Sequence, residues 1–157
     1  MKPRIEISGE KRLVGMKLVM SLANYNIGEL WRSFLPRRGE IRNNLTDELI
    51  SMVIYPPGYF EDFNPLNEFV RWATVEVSNF EHIPSEMEKY TLDSGLYAVF
   101  DHKGSDANSV FQYIFSSWLP NSDFQLDERP HFEVLGEKYK NNDPNSEEEI
   151  WIPIKSN

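Results

Sequence analysis

Residues 110–120 read VFQYIFSSWLP, a segment that predicts both a helix and an internal repeat. Its apolar side chains recur at the 3.6-residue spacing of one helical face. These side chains are Val110, Phe111, Ile114, Phe115 and Trp118. Residues 27–35, IGELWRSFL, show the same period. The two segments also end alike, because SFLP at 33–36 lies 84 positions before SWLP at 117–120.

Strand-like runs surround both predicted helices. They are rich in β-branched and aromatic residues and are separated by turn-forming Gly, Pro, Asn and Asp. The runs cover residues 12–21, 49–55, 69–77, 95–100, 131–135 and 149–154, with opening strands expected within 1–8 and 80–92. The order strand, helix, strand, strand therefore occurs twice. We predict an α+β fold in which a duplicated βαββ repeat forms an antiparallel sheet covered by two helices.

The length and charge of the chain limit its class. A chain of 157 residues suits one domain, 1–157, with repeat one at about 4–79 and repeat two at about 80–155. The formal net charge of -9 argues against direct DNA binding, which relies on basic residues. The absence of cysteine excludes disulfides, thiolate catalysis and zinc–thiolate sites. No apolar run approaches the ~20 residues of a membrane span, so we expect a cytoplasmic protein.

Standard catalytic motifs are absent from the sequence. It contains no G-x-S-x-G, no H-E-x-x-H and no P-loop. The histidines at 82, 102 and 131 lack the spacing of metal ligands, so we predict neither a metal nor a cofactor. The acidic run EEE at 147–149 is interpreted as a solvated strand entrance rather than a paired-acid site.

One acid has an unusual position. Glu133 lies in PHFEVL at 130–135, flanked by apolar residues within a predicted strand. Alternation puts its side chain on the opposite face from Phe132 and Val134. A carboxylate in the middle of a strand is costly unless its face is wet or its charge has a partner. If that face lines a cleft, Glu133 is an anion suited to a cationic ligand; the alternative is an exposed strand face.

Aromatic residues are the second candidate feature. Several lie within or beside the repeat elements: Trp31, Trp72, Trp118, Trp151, Tyr97 and Tyr113. At any single position, core packing is a more common role than ligand contact. Aromatic walls around one carboxylate nevertheless suit flat or cationic organic molecules, through stacking and cation–π attraction.

The segment GLYAVFDHKG at 95–104 resembles the G-x-Y-A-x-F-x-H-x-G strand and turn of GyrI-like proteins. These proteins include the effector-binding domains of AraC-type and MerR-type multidrug regulators. Further matches follow in order along nearly the whole chain. They are VGM at 14–16, L-W-x-x-F at 30–34, EIRN at 40–43, SWLP at 117–120, PHFEV at 130–134 and EIWIPI at 149–154.

The resemblance implies a ligand cleft between the two repeats and places the family's cleft glutamate at Glu133. It also makes several aromatic residues candidates for the cleft walls. These are Trp118, Tyr97 and Trp151, followed by Tyr113 and Trp72. Family members often carry Tyr two residues after this glutamate, where this chain has Leu135. A pocket without that hydroxyl is expected to prefer a different ligand or to bind less selectively.

Three functions are compatible with the resemblance. The leading hypothesis is a stand-alone domain that binds small hydrophobic, cationic or aromatic compounds, with Glu133 as counter-charge. The alternative is a hydrolase of strained cyclopropane-type compounds, in which Glu133 acts as a general acid or base or positions water. The third is a DNA gyrase inhibitor-like protein whose contact with a protein partner uses loops such as 55–63 or 141–149.

Overall fold

The computed structural model describes residues 2–104, 106–136 and 144–157, so part of the loop predicted around 141–149 lies outside the described residues. The described strands are β1 (Arg4–Ser8), β2 (Lys11–Ser21), β3 (Leu49–Ile54), β4 (Glu68–Val77), β5 (Glu88–Leu92), β6 (Gly95–Lys103), β7 (Phe124–Leu126), β8 (His131–Leu135) and β9 (Glu147–Ser156). The helices are α1 (Ile27–Phe34), which continues as a 3₁₀ segment at Leu35–Glu40, and α2 (Ala107–Tyr113), which continues as a π-helical segment at Ile114–Trp118.

The strands form an antiparallel sheet in the order β1-β6-β9-β8-β3-β4-β2-β5, and the short β7 pairs with β9. This order is symmetric about the central pair β3–β8, which confirms the α+β class and the duplicated βαββ arrangement. The first strand of each repeat is exchanged, because β1 pairs with β6 and β5 pairs with β2. Each repeat therefore completes the sheet of the other.

Both helices pack on the same face of the sheet. The apolar residues around α1 include Val14, Leu30, Phe34, Ala73 and Val75, and those around α2 include Ala98, Phe100, Val110, Ile114 and Ile152. Directly opposed residues of neighbouring strands share a face. This face is continuous across the central strands, which lie between the two helices and form the floor of the cleft. Among the described residues, no helix is long and apolar enough to cross a membrane.

The opposite face of the sheet is concave and filled by a second core. Leu13 on β2 and Tyr97 on β6 belong to one buried cluster, although four strands separate β2 from β6 in the sheet. None of the described residues of α1 or α2 belongs to this cluster, yet Leu13 and Tyr97 are fully buried, so the sheet curls over this face. The cluster also contains Ile50, Met52, Trp72, Leu92, Val99 and Phe132. Burying each large apolar side chain contributes roughly 1.5–3 kcal/mol, so this core stabilises the curvature.

Candidate functional site

The floor of the cleft carries a carboxylate and a guanidinium. Ser51 on β3 lies directly opposite Glu133 on β8, and Arg71 on β4 lies opposite Val53, two residues further along β3. All three polar side chains therefore share the face that the helices cover. The side chains of Arg71 and Glu133 are 12% and 18% exposed. Two opposite charges thus lie nearly buried at the centre of the sheet.

The ion pair between these two charges is loose. Arg71 Nη2 donates a hydrogen bond to Ser51 Oγ at 2.9 Å but lies 3.7 Å from Glu133 Oε1. The second distance exceeds that of a hydrogen bond. Arg71 Nε is buried and has no hydrogen-bond partner within the part of the chain that the structure describes. The guanidinium of Arg71 is therefore too far from the carboxylate of Glu133 to form a hydrogen bond with it.

A second buried carboxylate adjoins Glu133. Glu148 on β9 is the diagonal neighbour of Glu133 on the same face of the sheet, and its Oε1 lies 3.1 Å from Nδ1 of His102, the residue directly opposite it on β6. The side chains of His102 and Glu148 are only 6% and 9% exposed. The interpretation of residues 147–149 as a solvated strand entrance is therefore wrong for Glu148. Alternation along β9 turns this side chain onto the helix-covered face.

The buried carboxylates titrate far from their usual range. Burial raises the pKa of Glu133 to about 8, the charge of Arg71 opposes this rise, and the neighbouring Glu148 adds to it. Burial also raises the pKa of Glu148. Two adjacent carboxylates in a poorly solvated site ionise in coupled steps, because their negative charges repel. Ionisation of one of these carboxylates therefore opposes ionisation of the other.

Aromatic side chains enclose the small space above Glu133. A cavity of about 30 Å³ is bordered by Glu133, by Phe111 and Phe115 from the α2 side, and by Tyr55 and His131. Burial raises the pKa of Tyr55 to about 12 and lowers that of His131 to about 3. Both groups are therefore neutral at physiological pH. The site offers one titrating carboxylate among flat, uncharged rings.

The ring of Phe60 closes this space from the outside. Its centroid lies 5.2 Å from that of Phe115 and 5.8 Å from that of His131, in stacked geometry. Beyond it, a larger cavity of about 290 Å³ is also bordered by Tyr55 and His131. Its rim carries Glu61, Asp127, Glu128 and Arg129. The ring of Phe60 borders the larger cavity and stacks on two residues, Phe115 and His131, that border the smaller one.

Two of the predicted wall residues pack beside α2 instead of lining the cavity. Trp118 meets Phe100 edge-on and stacks on Phe124, with centroid distances of 5.2 and 6.5 Å. Tyr113 is half-buried in the same apolar cluster. Neither residue borders the cavity at Glu133. The π-helical segment that follows Tyr113 alters the helical spacing on which the aromatic stripe was predicted.

The other three predicted aromatics direct their rings to the concave face. Tyr97 is fully buried and donates its hydroxyl to the Pro130 carbonyl at 3.0 Å. Trp72 is 4% exposed and packs on Tyr90. Trp151 borders the small cavity, but its ring stacks on Phe132, a member of the concave core. The structure therefore brings neither Tyr97 nor Trp72 to Glu133.

Sequence reasoning missed several residues of the site. They are Ser51, Tyr55, Phe60, Arg71, His102 in its contact with Glu148, and Glu148 itself. Arg71 could have been identified from the sequence, because it interrupts the apolar run FVRWATV at 69–75 just as Glu133 interrupts the apolar run of its own strand. Within the described residues no group of three or more His, Asp or Glu could hold a metal ion.

Comparison with known proteins places this geometry in a family. The family model Cass2, described as integron-associated effector binding protein, matches residues 4–154. The transcriptional regulator BrlR of Pseudomonas aeruginosa is 30% identical over 145 residues, which cover 90% of this chain and 51% of BrlR. The chain therefore spans about half the length of this curated relative.

Solved structures share the fold over nearly the whole chain. The structure of SAV2435 bound to tetraphenylphosphonium aligns with a TM-score of 0.73 and 20% identity, covering 99% of this chain and 94% of SAV2435. An integron cassette protein from the mobile metagenome of Vibrio cholerae aligns with a TM-score of 0.66 and 18% identity, covering 98% and 96%. Together with the family match, these alignments confirm the resemblance to GyrI-like proteins. The chain therefore belongs to the integron-associated effector-binding family and is an effector-binding domain related to those of transcription regulators.

Proposed function

We propose that this chain binds hydrophobic organic cations in the cleft above β3 and β8, with Glu133 as the counter-charge. The observation that supports this proposal most strongly is a nearly buried carboxylate whose ion pair is loose and whose surroundings are aromatic. An organic cation offers such a carboxylate a partner without requiring water, and it interacts favourably with the ring faces. The tetraphenylphosphonium bound by SAV2435 belongs to this ligand class.

The charge balance of the floor also favours a cation. Burial opposes the ionisation of Glu133, and Arg71, at 3.7 Å from its Oε1, offsets this cost only in part. A cation that enters the cleft stabilises the ionised form of Glu133 and displaces its proton. The acidic outer cavity and the net charge of -9 attract positively charged molecules towards this site.

Glu133→Gln is expected to weaken the binding of tetraphenylphosphonium by about 10- to 100-fold, since unpairing a charged group costs roughly 1–3 kcal/mol. The neutral triphenylphosphine oxide is expected to bind both proteins within about threefold of each other, because it makes no charge contact. Isothermal titration calorimetry at pH 8 measures both affinities.

Glu149→Gln serves as the matched control for this experiment. It removes one carboxylate from the neighbouring strand β9, but Glu149 pairs with Arg4 and accepts a hydrogen bond from Trp151 Nε1. The affinity of Glu149→Gln for tetraphenylphosphonium is expected to equal that of the wild type. Equal losses for the cation and the neutral compound in Glu133→Gln would contradict the electrostatic role. Absence of any binding by the wild type would contradict the proposed function itself.

A hydrolase is the second candidate, and the titration of Glu133 is the observation that favours it. A carboxyl group with a pKa of about 8 is largely protonated at pH 7 and can act as a general acid. Strained cyclopropane-type compounds are the substrates to test. Mass spectrometry of a compound recovered after incubation separates the two functions, because a binder returns it unchanged and a hydrolase returns an opened, hydrated product that is absent with Glu133→Gln.

A further inference from the structure

Glu148 connects the cleft to a different surface of the protein. On one side it is the diagonal neighbour of Glu133 across β8 and β9. On the other side Glu148 and His102 border a groove of about 510 Å³ at the ends of β6, β8 and β9. Glu148 therefore lies between the carboxylate of Glu133 and a groove outside the ligand cleft.

We propose that Glu148, oriented by His102, is a positioning residue that keeps a proton on Glu133 until a cation enters the cleft, and that ligand affinity consequently depends on pH. This inference rests on the proposed function, because it concerns the charge that Glu133 presents to a ligand. It adds a second carboxylate and a histidine that do not touch the ligand.

Strand register brings these side chains together. His102 lies directly opposite Glu148 across β6 and β9, and Glu133 lies opposite Ile150 across β8 and β9. Glu148 is thus the diagonal neighbour of Glu133 on the same face. An ionised carboxylate accepts hydrogen bonds but donates none. When Glu148 accepts from Nδ1–H of His102, it can also accept from Glu133, and the shared proton then belongs to Glu133.

The directions of the pKa shifts agree with Glu148 as the acceptor and Glu133 as the group that holds the proton. After burial and the opposing effect of Arg71, Glu148 raises the pKa of Glu133 by its charge and by its hydrogen bond. The hydrogen bond with Glu133 acts in the opposite direction on Glu148, whose pKa burial raises. A pair in which one group donates and the other accepts shows this asymmetry.

Other groups that face Glu133 also affect whether it holds a proton. They are Arg71 from β4, His131 from β8 itself, Tyr55 beyond β3, His102 from β6 and the apolar Phe111 and Phe115 from the α2 side. His131 and Tyr55 are neutral at physiological pH because burial opposes their ionisation. Arg71 and His102 lower the pKa of Glu133 and so favour release of its proton, whereas Glu148 raises this pKa and favours retention.

The decisive experiment measures the dissociation constant of tetraphenylphosphonium by calorimetry between pH 5.5 and pH 9. For the wild type, affinity is expected to rise about tenfold per pH unit below the pKa of Glu133 and to level off above it. In Glu148→Gln the neighbouring charge is absent, so the midpoint of this profile is expected at least about one pH unit lower. The variant then binds about tenfold more tightly than the wild type at pH 6 and equally well at pH 9.

Proton release gives a second readout that a purely structural role would not change. In buffers of different ionisation enthalpy at pH 6.5, the wild type is expected to release nearly one proton per cation bound, and Glu148→Gln distinctly less. Glu149→Gln, the matched control on the same strand, is expected to retain the wild-type profile.

The outcomes separate the two proposals. Glu133-dependent binding with an unchanged pH profile in Glu148→Gln would overturn this inference and leave the proposed function in place. An affinity change of equal size at every pH would also overturn it, because that result describes a packing role. Wild-type binding that Glu133→Gln leaves intact would overturn the proposed function, and this inference with it.

Discussion

Glu133→Gln is expected to be more stable than the wild type at pH 8.5 and to differ little from it at pH 5. The reason is the pKa of Glu133, which burial raises from 4.5 to about 8. Between these values the folded protein holds a proton that the unfolded chain has released. The stability of the wild type therefore falls as the pH rises through this interval, whereas glutamine has no proton to lose. The difference at pH 8.5 is expected to be on the order of 2–4 kcal/mol.

Urea denaturation of the two proteins at both pH values measures this difference. Arg71 keeps a counter-charge in the variant, since it also interacts with Glu148. A carboxylate retained despite such a cost is typical of a functional site. A variant that is equally or less stable than the wild type at pH 8.5 would contradict the buried, protonated state assigned to Glu133.

Gly15→Ala is expected to destabilise the protein by about 2–4 kcal/mol, through a backbone clash in the middle of the sheet. Gly15 on β2 pairs with Thr74 on one side and Glu88 on the other. A Cβ atom at this position would overlap the carbonyl oxygen of Ala73. Because the obstacle is the backbone of β4, no side-chain rotation relieves the clash, and β2 must move away from its partner.

Gly39→Ala is the matched control for Gly15→Ala. A Cβ atom on Gly39 would have no neighbouring heavy atom within 4 Å, so its effect on the free energy of unfolding is expected within about 0.5 kcal/mol. Thermal or urea denaturation, followed by far-ultraviolet circular dichroism, compares the two variants. Similar stabilities for Gly15→Ala and the wild type would show that β2 tolerates a side chain at this point.

The exchange of the opening strands between the repeats is a part of the fold that the sequence did not predict. Hydrophobic period and turn residues predicted the helices, most strands and the duplication. They did not predict that β1 pairs with β6 and β5 with β2, because strand pairing between distant segments leaves no periodic signal in either one. The three-residue β7 was missed because so short a strand has no recognisable alternation.

The candidate site was predicted in one residue and missed in its partners. Glu133 was found because a lone acid in an apolar strand breaks a local pattern. Its link to Glu148 depends on the β8–β9 register, which the sequence around 147–149 does not encode locally. The acidic run was read as solvated because composition cannot show that alternation turns one of its three side chains inward.

The aromatic residues illustrate a further limit. The helical stripe contained Phe111 and Phe115, which border the cavity, whereas only Trp151 among the tryptophans and tyrosines predicted as wall residues borders it. Tyr97 and Trp72 belong to a second core that exists only because the sheet curls. Curvature arises from the packing of the whole sheet, so no single segment predicts which face of a strand meets the ligand cleft.

A crystal structure of the protein with tetraphenylphosphonium tests the central claim most directly. We predict that the phosphonium lies against Glu133 between Tyr55, Phe111 and Phe115, and that Phe60 has left its stacked position, because the closed space of about 30 Å³ is too small for the ligand. A cation bound elsewhere, for example in the concave core beside Trp72, with Glu133 still enclosed by the same rings, would contradict the account.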